Sequence, residues 1–194
     1  MTVLRYGNTS TFLVPGTFAA LLVDTGYAGT LHAFYRALKQ AGYTVDRIGF
    51  VLATHWHPDH AGLIGELTKQ GVRLLLIDVQ KEYVHFSDGL FARDRLPYTP
   101  PDESKAEVIS CRESRAFLSG IGIKGEIIHT PSHSPDSVSL ILDEGDCAVG
   151  DLEPYEHIEA YPDNAALKND WERILSFGPR RIFFAHRPER IISD

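Results

Sequence analysis

Cysteine is scarce. Two residues in 194 cannot build the disulfide framework of a small secreted scaffold, so a reducing, cytoplasmic setting is the expectation. Long apolar runs are missing as well: the longest, Phe18 to Val23 and Val72 to Ile77, fall far short of the roughly 20 residues of a membrane span. A signal peptide is not expected either, because polar Asn8 to Thr11 precede a short apolar run that ends in Asp24 rather than in a small-residue cleavage site. Positive charge is in short supply. The 19 Lys and Arg against 26 Asp and Glu leave a formal charge of -7, which argues against a nucleic-acid binder. Neither a long internal repeat nor a Gly-rich nucleotide loop occurs. What the chain has is 43% hydrophobic residues, enough for one globular domain over residues 1–194, and nine histidines.

Apolar periodicity predicts strands at Thr2 to Arg5, Thr11 to Val14 and Phe18 to Val23, then a helix from Thr30 to Ala41 in which Leu31, Phe34, Tyr35 and Leu38 share one face. A buried strand Ile48 to Ala53, a helix Ala61 to Gln70 and a strand Val72 to Ile77 follow. Gln80 to Ser110 reads as a helix plus a long loop, rich in aromatics and prolines and suited to a lid. Beyond it come a helix Arg112 to Ser119, a strand Gly125 to His129, a hairpin of Val138 to Leu142 and Cys147 to Val149, a helix Asn164 to Phe177 and a strand Arg181 to Ala185. A strand-rich segment followed by helix, occurring twice, predicts an α/β fold of two sheets packed face to face with helices outside.

Directly after the strand Ile48 to Ala53 stands Thr54-His55-Trp56-His57-Pro58-Asp59-His60, four metal-ligand side chains within six residues. In an extended segment residues i and i+2 share a face, so His55 and His57 can grip one ion while the turn into a helix swings Asp59 and His60 towards a second. Imidazole and carboxylate suit borderline divalent ions such as zinc. Further donors close later strands: His133, Asp151 after Val149-Gly150, and His186 after Ile182 to Ala185. Singly each is weak evidence; together they complete a two-metal set.

In that order, Asp24, the loop at 55–60, Thr130-Pro131-Ser132-His133, Gly150-Asp151 and His186 resemble the pattern of the metallo-β-lactamase superfamily of metal-dependent hydrolases, nearly end to end. The resemblance implies a four-layer αββα sandwich of two mixed sheets with outer helices. It implies that His55, His57 and His133 hold one divalent ion and that Asp59, His60 and His186 hold the other, with Asp151 bridging. Zinc is the first expectation, and iron or manganese would suit the same donors. Asp24 would orient a ligand histidine by accepting its remaining N–H. Asp59 and Asp151 are the candidate catalytic carboxylates. Three departures stand beside the ligands: Ser132 and Asp136 replace glycines common in the family, and Ala185-His186-Arg187-Pro188 replaces Pro-Gly-His-Gly.

The activity implied is hydrolysis of a small ester, thioester, lactone or phosphoester by a water acidified between two ions. A mononuclear iron dioxygenase acting on persulfides shares the scaffold, and a sensor module that has lost catalysis is a third reading. The complete set of seven ligands favours the hydrolase over the sensor. Candidate substrate contacts are Tyr155 and His157 on a loop after Asp151, Arg187 beside the last ligand, and Arg93 in the lid. His129 is a weaker rival to His133, and Cys111 and Cys147 read as structural thiols. The partner expected is a small-molecule substrate. Its selection is assigned to the Gln80 to Ser110 segment, the loop after Asp151, or the second copy of a homodimer.

Overall fold

The computed structural model describes residues 1–160 and 163–192. Two sheets carry it. The first runs β1 (Thr2–Arg5), β2 (Ser10–Val14), β3 (Ala20–Val23), β4 (Ile48–Leu52), β5 (Arg73–Ile77) and β6 (Glu107–Ile109), in that spatial order. Its first three strands pair antiparallel and the rest parallel. The second holds β7 (Gly125–His129), β8 (Val138–Leu142), β9 (Asp146–Ala148), β10 (Arg181–Phe183) and β11 (Arg190–Ile191), ordered β11-β10-β9-β8-β7.

Strands of the middle layers are buried on both faces, and alternate side chains serve different cores. Leu21, Val23, Phe50, Leu52, Leu75 and Ile77 point inward to meet Ile127, Leu140, Leu142 and Phe183 of the second sheet. Their neighbours Leu22, Val51, Leu74 and Leu76 point outward and pack under α1 (Leu31–Gln40), through its Phe34 and Leu38. On the far side Ile128, Ile141, Cys147 and Ile182 pack under α7 (Ala165–Leu175), through Trp171 and Ile174. The four layers of the expected αββα sandwich follow from that alternation, with α5 (Ser114–Gly120) crossing between the sheets and packing on β7.

Several local expectations are corrected. The helix expected from Ala61 to Gln70 is two pieces, α2 (Pro58–Ala61) and α3 (Ile64–Lys69), broken around Gly62. A Cβ on Gly62 would sit 2.3 Å from the backbone nitrogen of Ala28, so the break lets this turn press against the loop after β3. Phe18, expected to open β3, lies outside the strand and is 79% exposed. The helix expected in the 80–110 segment is α4 (Asp88–Arg93), and the loop expected with it is interrupted by two short 3-10 turns and the edge strand β6. A short helix α6 (His157–Ala160) follows Asp151 where a loop was expected. Among the described residues no helix is long and apolar enough to cross a membrane.

The topology aims one end of both sheets at the same place. β3 and β4 are parallel, and β7, β9 and β10 share one direction through the antiparallel β8. Asp24, the 55–60 loop, His133, Asp151 and His186 all follow the C-terminal ends of these five strands, the edge where loops are free to build a site.

Candidate metal centre

Three imidazoles converge first. His57 Nδ1 lies 2.9 Å from His55 Nε2 and 3.3 Å from His133 Nε2, and Asp151 Oδ2 stands 4.0 and 3.8 Å from the same two Nε2 atoms. The other oxygen of Asp151 faces a second group: Oδ1 is 3.3 Å from His60 Nε2 and 3.2 Å from His186 Nε2, while Asp59 Oδ2 is 3.8 and 3.0 Å from those nitrogens. The structure thus brings all seven sequence-predicted ligands into two sets that share one carboxylate.

Those donors fit divalent ions. Tetrahedral coordination at bond lengths of roughly 2.0–2.1 Å spaces ligand atoms by about 3.3 Å, and the donor separations here scatter around that value. His60 Nε2 and Asp151 Oδ1 are buried without a hydrogen-bond partner of adequate geometry, an expensive state unless a cation completes them. Three facing imidazole nitrogens cannot all be satisfied by one another's protons, since each neutral ring carries a single N–H.

Supporting groups fix which nitrogen of each ring faces the centre. Asp24 is fully buried at φ 60, a left-handed backbone that Asp tolerates better than most side chains. Its Oδ1 accepts the Thr54 backbone N–H at 2.7 Å and its Oδ2 accepts from His60 Nδ1 at 3.0 Å, leaving His60 Nε2 turned to the donor cluster. His186 Nδ1 donates to the Asn8 carbonyl at 3.0 Å, which frees its Nε2 in the same way. The β1–β2 turn therefore reaches across from the first sheet to hold a ligand of the second, helped by the Ser10 N–H bond to the Ala185 carbonyl. Gln80, fully buried, clamps the 55–60 loop through Nε2 donating to the Ala53 carbonyl at 2.9 Å and to that of Asp136 at 3.2 Å.

The departures from the family pattern find their reasons here. Asp136 accepts the Trp56 backbone N–H at 2.7 Å and tethers the ligand loop to the turn that carries His133. Neither Ser132 nor Ala185 is among the described residues with positive φ, so glycine's freedom is not needed at either position. Gly150 does need it, at φ 59, and a Cβ there would fall 2.5 Å from Thr54 Oγ1.

Electrostatics divides the histidines. Burial and the neighbouring histidines hold His55 far below the usual range, in the neutral form that binds metal. Burial opposes charge on His60 too, but Asp24 and Asp151 outweigh it and raise His60 to about 10. Below histidine's ordinary pKa of about 6.5 this pair contributes fully to the stability of the metal-free chain, and the contribution is lost as pH rises through about 10. At neutral pH the metal-free His60 is protonated and must shed that proton to become a ligand. Loading the second ion at pH 7.5 is expected to release about one proton from His60, measurable by calorimetry in buffers of different ionisation enthalpy; release far below one would contradict it.

The candidate substrate contacts separate. Arg187 lines a cavity of about 140 Å³ with His133, Asp151, His186 and Glu153. Tyr155 is half exposed and sets its ring edge-on to Trp171, while His157 Nδ1 lies 2.7 Å from Glu153 Oε2; neither lines that cavity. Arg93 ends α4 with its guanidinium on Asp94 and lies outside it as well. His129 donates to the Pro135 carbonyl at 2.7 Å and belongs to neither ligand set. Cys147 is sealed in β9, where burial pushes its thiol up, and burial raises Cys111 too. Glu153 went unread in the sequence, and Phe86, read only as one of the lid's aromatics, sets its exposed ring 5.5 Å from His57. An isolated Glu or Phe in a loop carries no spacing signal.

Two mixed sheets, their outer helices and a cluster of His and Asp donors at one end define an αββα sandwich with a candidate metal centre at its edge. The chain belongs to the metallo-beta-lactamase superfamily, whose family model matches residues 4–186. It is 28% identical over 183 residues to "Beta-lactamase-like protein 2 homolog" of Drosophila melanogaster, covering 92% of this chain and 58% of that protein. It is 28% identical over 138 residues to an "Atrochrysone carboxyl ACP thioesterase" of Aspergillus fumigatus, covering 71% of this chain and 27% of the relative. Among solved structures, a metallo-beta-lactamase family protein of Thermus thermophilus superposes with TM-score 0.73 at 19% identity, over 98% of this chain and 74% of the other. The chain thus spans less than two thirds of the curated relatives it matches here.

Proposed function

We propose that the chain is a hydrolase of small esters or thioesters that works with two divalent ions, zinc in the first instance, at the His/Asp centre. The observation that carries this reading is the divided carboxylate of Asp151, one oxygen facing the His55–His57–His133 set and the other the Asp59–His60–His186 set. Family membership supports hydrolysis, and the thioesterase named among the relatives supports an acyl substrate. Bound there, the ions supply a water acidified to a pKa near 7 and polarisation of the scissile carbonyl. The protein's part is positional. Asp24 and the Asn8 carbonyl hold His60 and His186 in the tautomer that offers Nε2, and Gln80 and Asp136 hold the 55–60 loop against the His133 turn. Asp59 keeps one oxygen near His186 and Thr9, and its carboxylate accepts the proton the attacking water sheds.

The test is reconstitution. Chelator-stripped protein is titrated with zinc while turnover of a 4-nitrophenyl ester and the matching thioester is followed. Activity is expected to rise mainly with the second equivalent. Full activity at one equivalent, or none with two ions bound, would overturn the reading.

A further inference from the structure

Two unlike cavities meet at the ligands of the second ion. One is the 140 Å³ cleft that contains Arg187; its floor includes His186 and Asp151. The other, about 490 Å³, is lined by Tyr6, Gly7, Gly26, Tyr27 and Thr30 and ends on Asp59, the one charged residue of its lining. Asp59 Oδ2 lies 3.0 Å from His186 Nε2, so a molecule reacting at this centre has one cavity on each side.

The small side offers an anion the guanidinium of Arg187, with the Glu153 carboxylate in the same lining. Arg187 is half exposed and its Nη2 stands 3.9 Å from Glu153 Oε2, at the outer limit of an ion pair. That oxygen already lies 2.7 Å from His157 Nδ1, so Glu153 is engaged elsewhere and the Arg187 fork remains open to a planar carboxylate. Two dications against the two ligand carboxylates would leave the floor of the cleft positive as well. The large side differs: apart from Asp59 its lining is uncharged, two tyrosine rings and glycines with Asn8, Thr9 and Thr30 beside them, and Tyr27 is fixed edge-on against Phe91 at 5.2 Å. The Tyr6 hydroxyl is already spent on Thr11 and the Thr25 carbonyl, so its ring offers only an apolar surface.

We infer that the substrate is asymmetric, with an anionic group held by Arg187 on one side of the scissile bond and an uncharged, bulky group seated against Tyr27 and Tyr6 on the other. The inference rests on the hydrolase reading and names its substrate class.

The test pairs 4-nitrophenyl hydrogen glutarate and 4-carboxyphenyl pentanoate with neutral 4-nitrophenyl pentanoate. It adds the non-hydrolysable ketones 6-(4-nitrophenyl)-5-oxohexanoate and 1-(4-nitrophenyl)hexan-2-one for binding by calorimetry. At least one carboxylated ester is expected to show a KM roughly tenfold below that of the neutral one, in line with a charge-assisted hydrogen bond, and the keto acid should outbind the ketone similarly. Arg187→Ala should collapse both ratios to near one, and Arg187→Lys should retain part of them. Tyr27→Ala should weaken both ketones several-fold. Equal binding of the two ketones with equal KM for all three esters, or ratios unmoved by Arg187→Ala, overturns the anion site; unchanged ketone affinity in Tyr27→Ala overturns the apolar side. Preferential keto-acid binding without turnover of any ester would sink the hydrolase reading and leave the anion site standing.

Discussion

Asp151→Asn is expected to lower ester turnover at least about a thousandfold while the chain still folds. An amide offers one neutral oxygen where the carboxylate offers two charged ones, so the two ligand sets no longer share an anion. Native mass spectrometry should count two zinc ions on the wild-type chain and at most one on the variant. Because Asp151 is one of the two carboxylates that hold His60 protonated in the metal-free chain, removing its charge should lower metal-free thermal stability by a few degrees at neutral pH. The contrast appears on loading: each ion present at about a thousand times its Kd stabilises by about 4 kcal/mol, worth roughly 8–16 °C for a chain of this size, and the variant, holding at most one, should lose at least half of the two-ion gain. A variant that melts far lower without metal would be a folding defect instead, and wild-type turnover would refute the bridging role.

Asp24→Asn tests the other large effect. Asn keeps the backbone tolerance that φ 60 requires, so the substitution isolates the charge. Second-ion affinity should fall about 10–100-fold, the usual consequence of losing the group that orients a ligand histidine. His60 should also lose one of the two carboxylates that hold it protonated, so proton release on loading should drop in part. Asp24→Ala is harsher. Removing one partner of a buried charge pair costs about 3–5 kcal/mol, and Thr54 and His60 would both lose their acceptor. Competition titration with a zinc chelator and a thermal melt separate the two variants; an Asn variant with unaltered zinc affinity would remove Asp24 from the centre.

The seven clustered donors were legible in the sequence because each is a chemically distinctive side chain placed just past an apolar strand, and four of them fall within six residues. The sandwich was legible for a related reason: strands such as Phe50 to Leu52 and Leu74 to Ile77, apolar at every position, can only lie between two covered faces. What stayed hidden has no side-chain signature or no local pattern. The Asn8 carbonyl that orients His186 is a backbone atom 178 residues away from its partner. Gln80 clamps carbonyls 27 and 56 positions distant, and nothing around it in the chain announces that role. The edge strands β6 and β11, three and two residues long, are too short to show alternation. The break at Gly62 comes from the approach of another loop, which a local helical pattern cannot register.

The placement of the donors has a mechanical consequence. His55, His57, Asp59 and His60 hang from the first sheet, and His133, Asp151 and His186 from the second, so neither set of ligands is complete within one half of the chain. An ion bound there would be a rivet through both leaves of the sandwich, and a pair would resist shear and opening at the very edge where the interior would first be exposed to water. Chemistry and cohesion at that edge would then rise and fall together: whatever drew out the metal would also unpin the leaves.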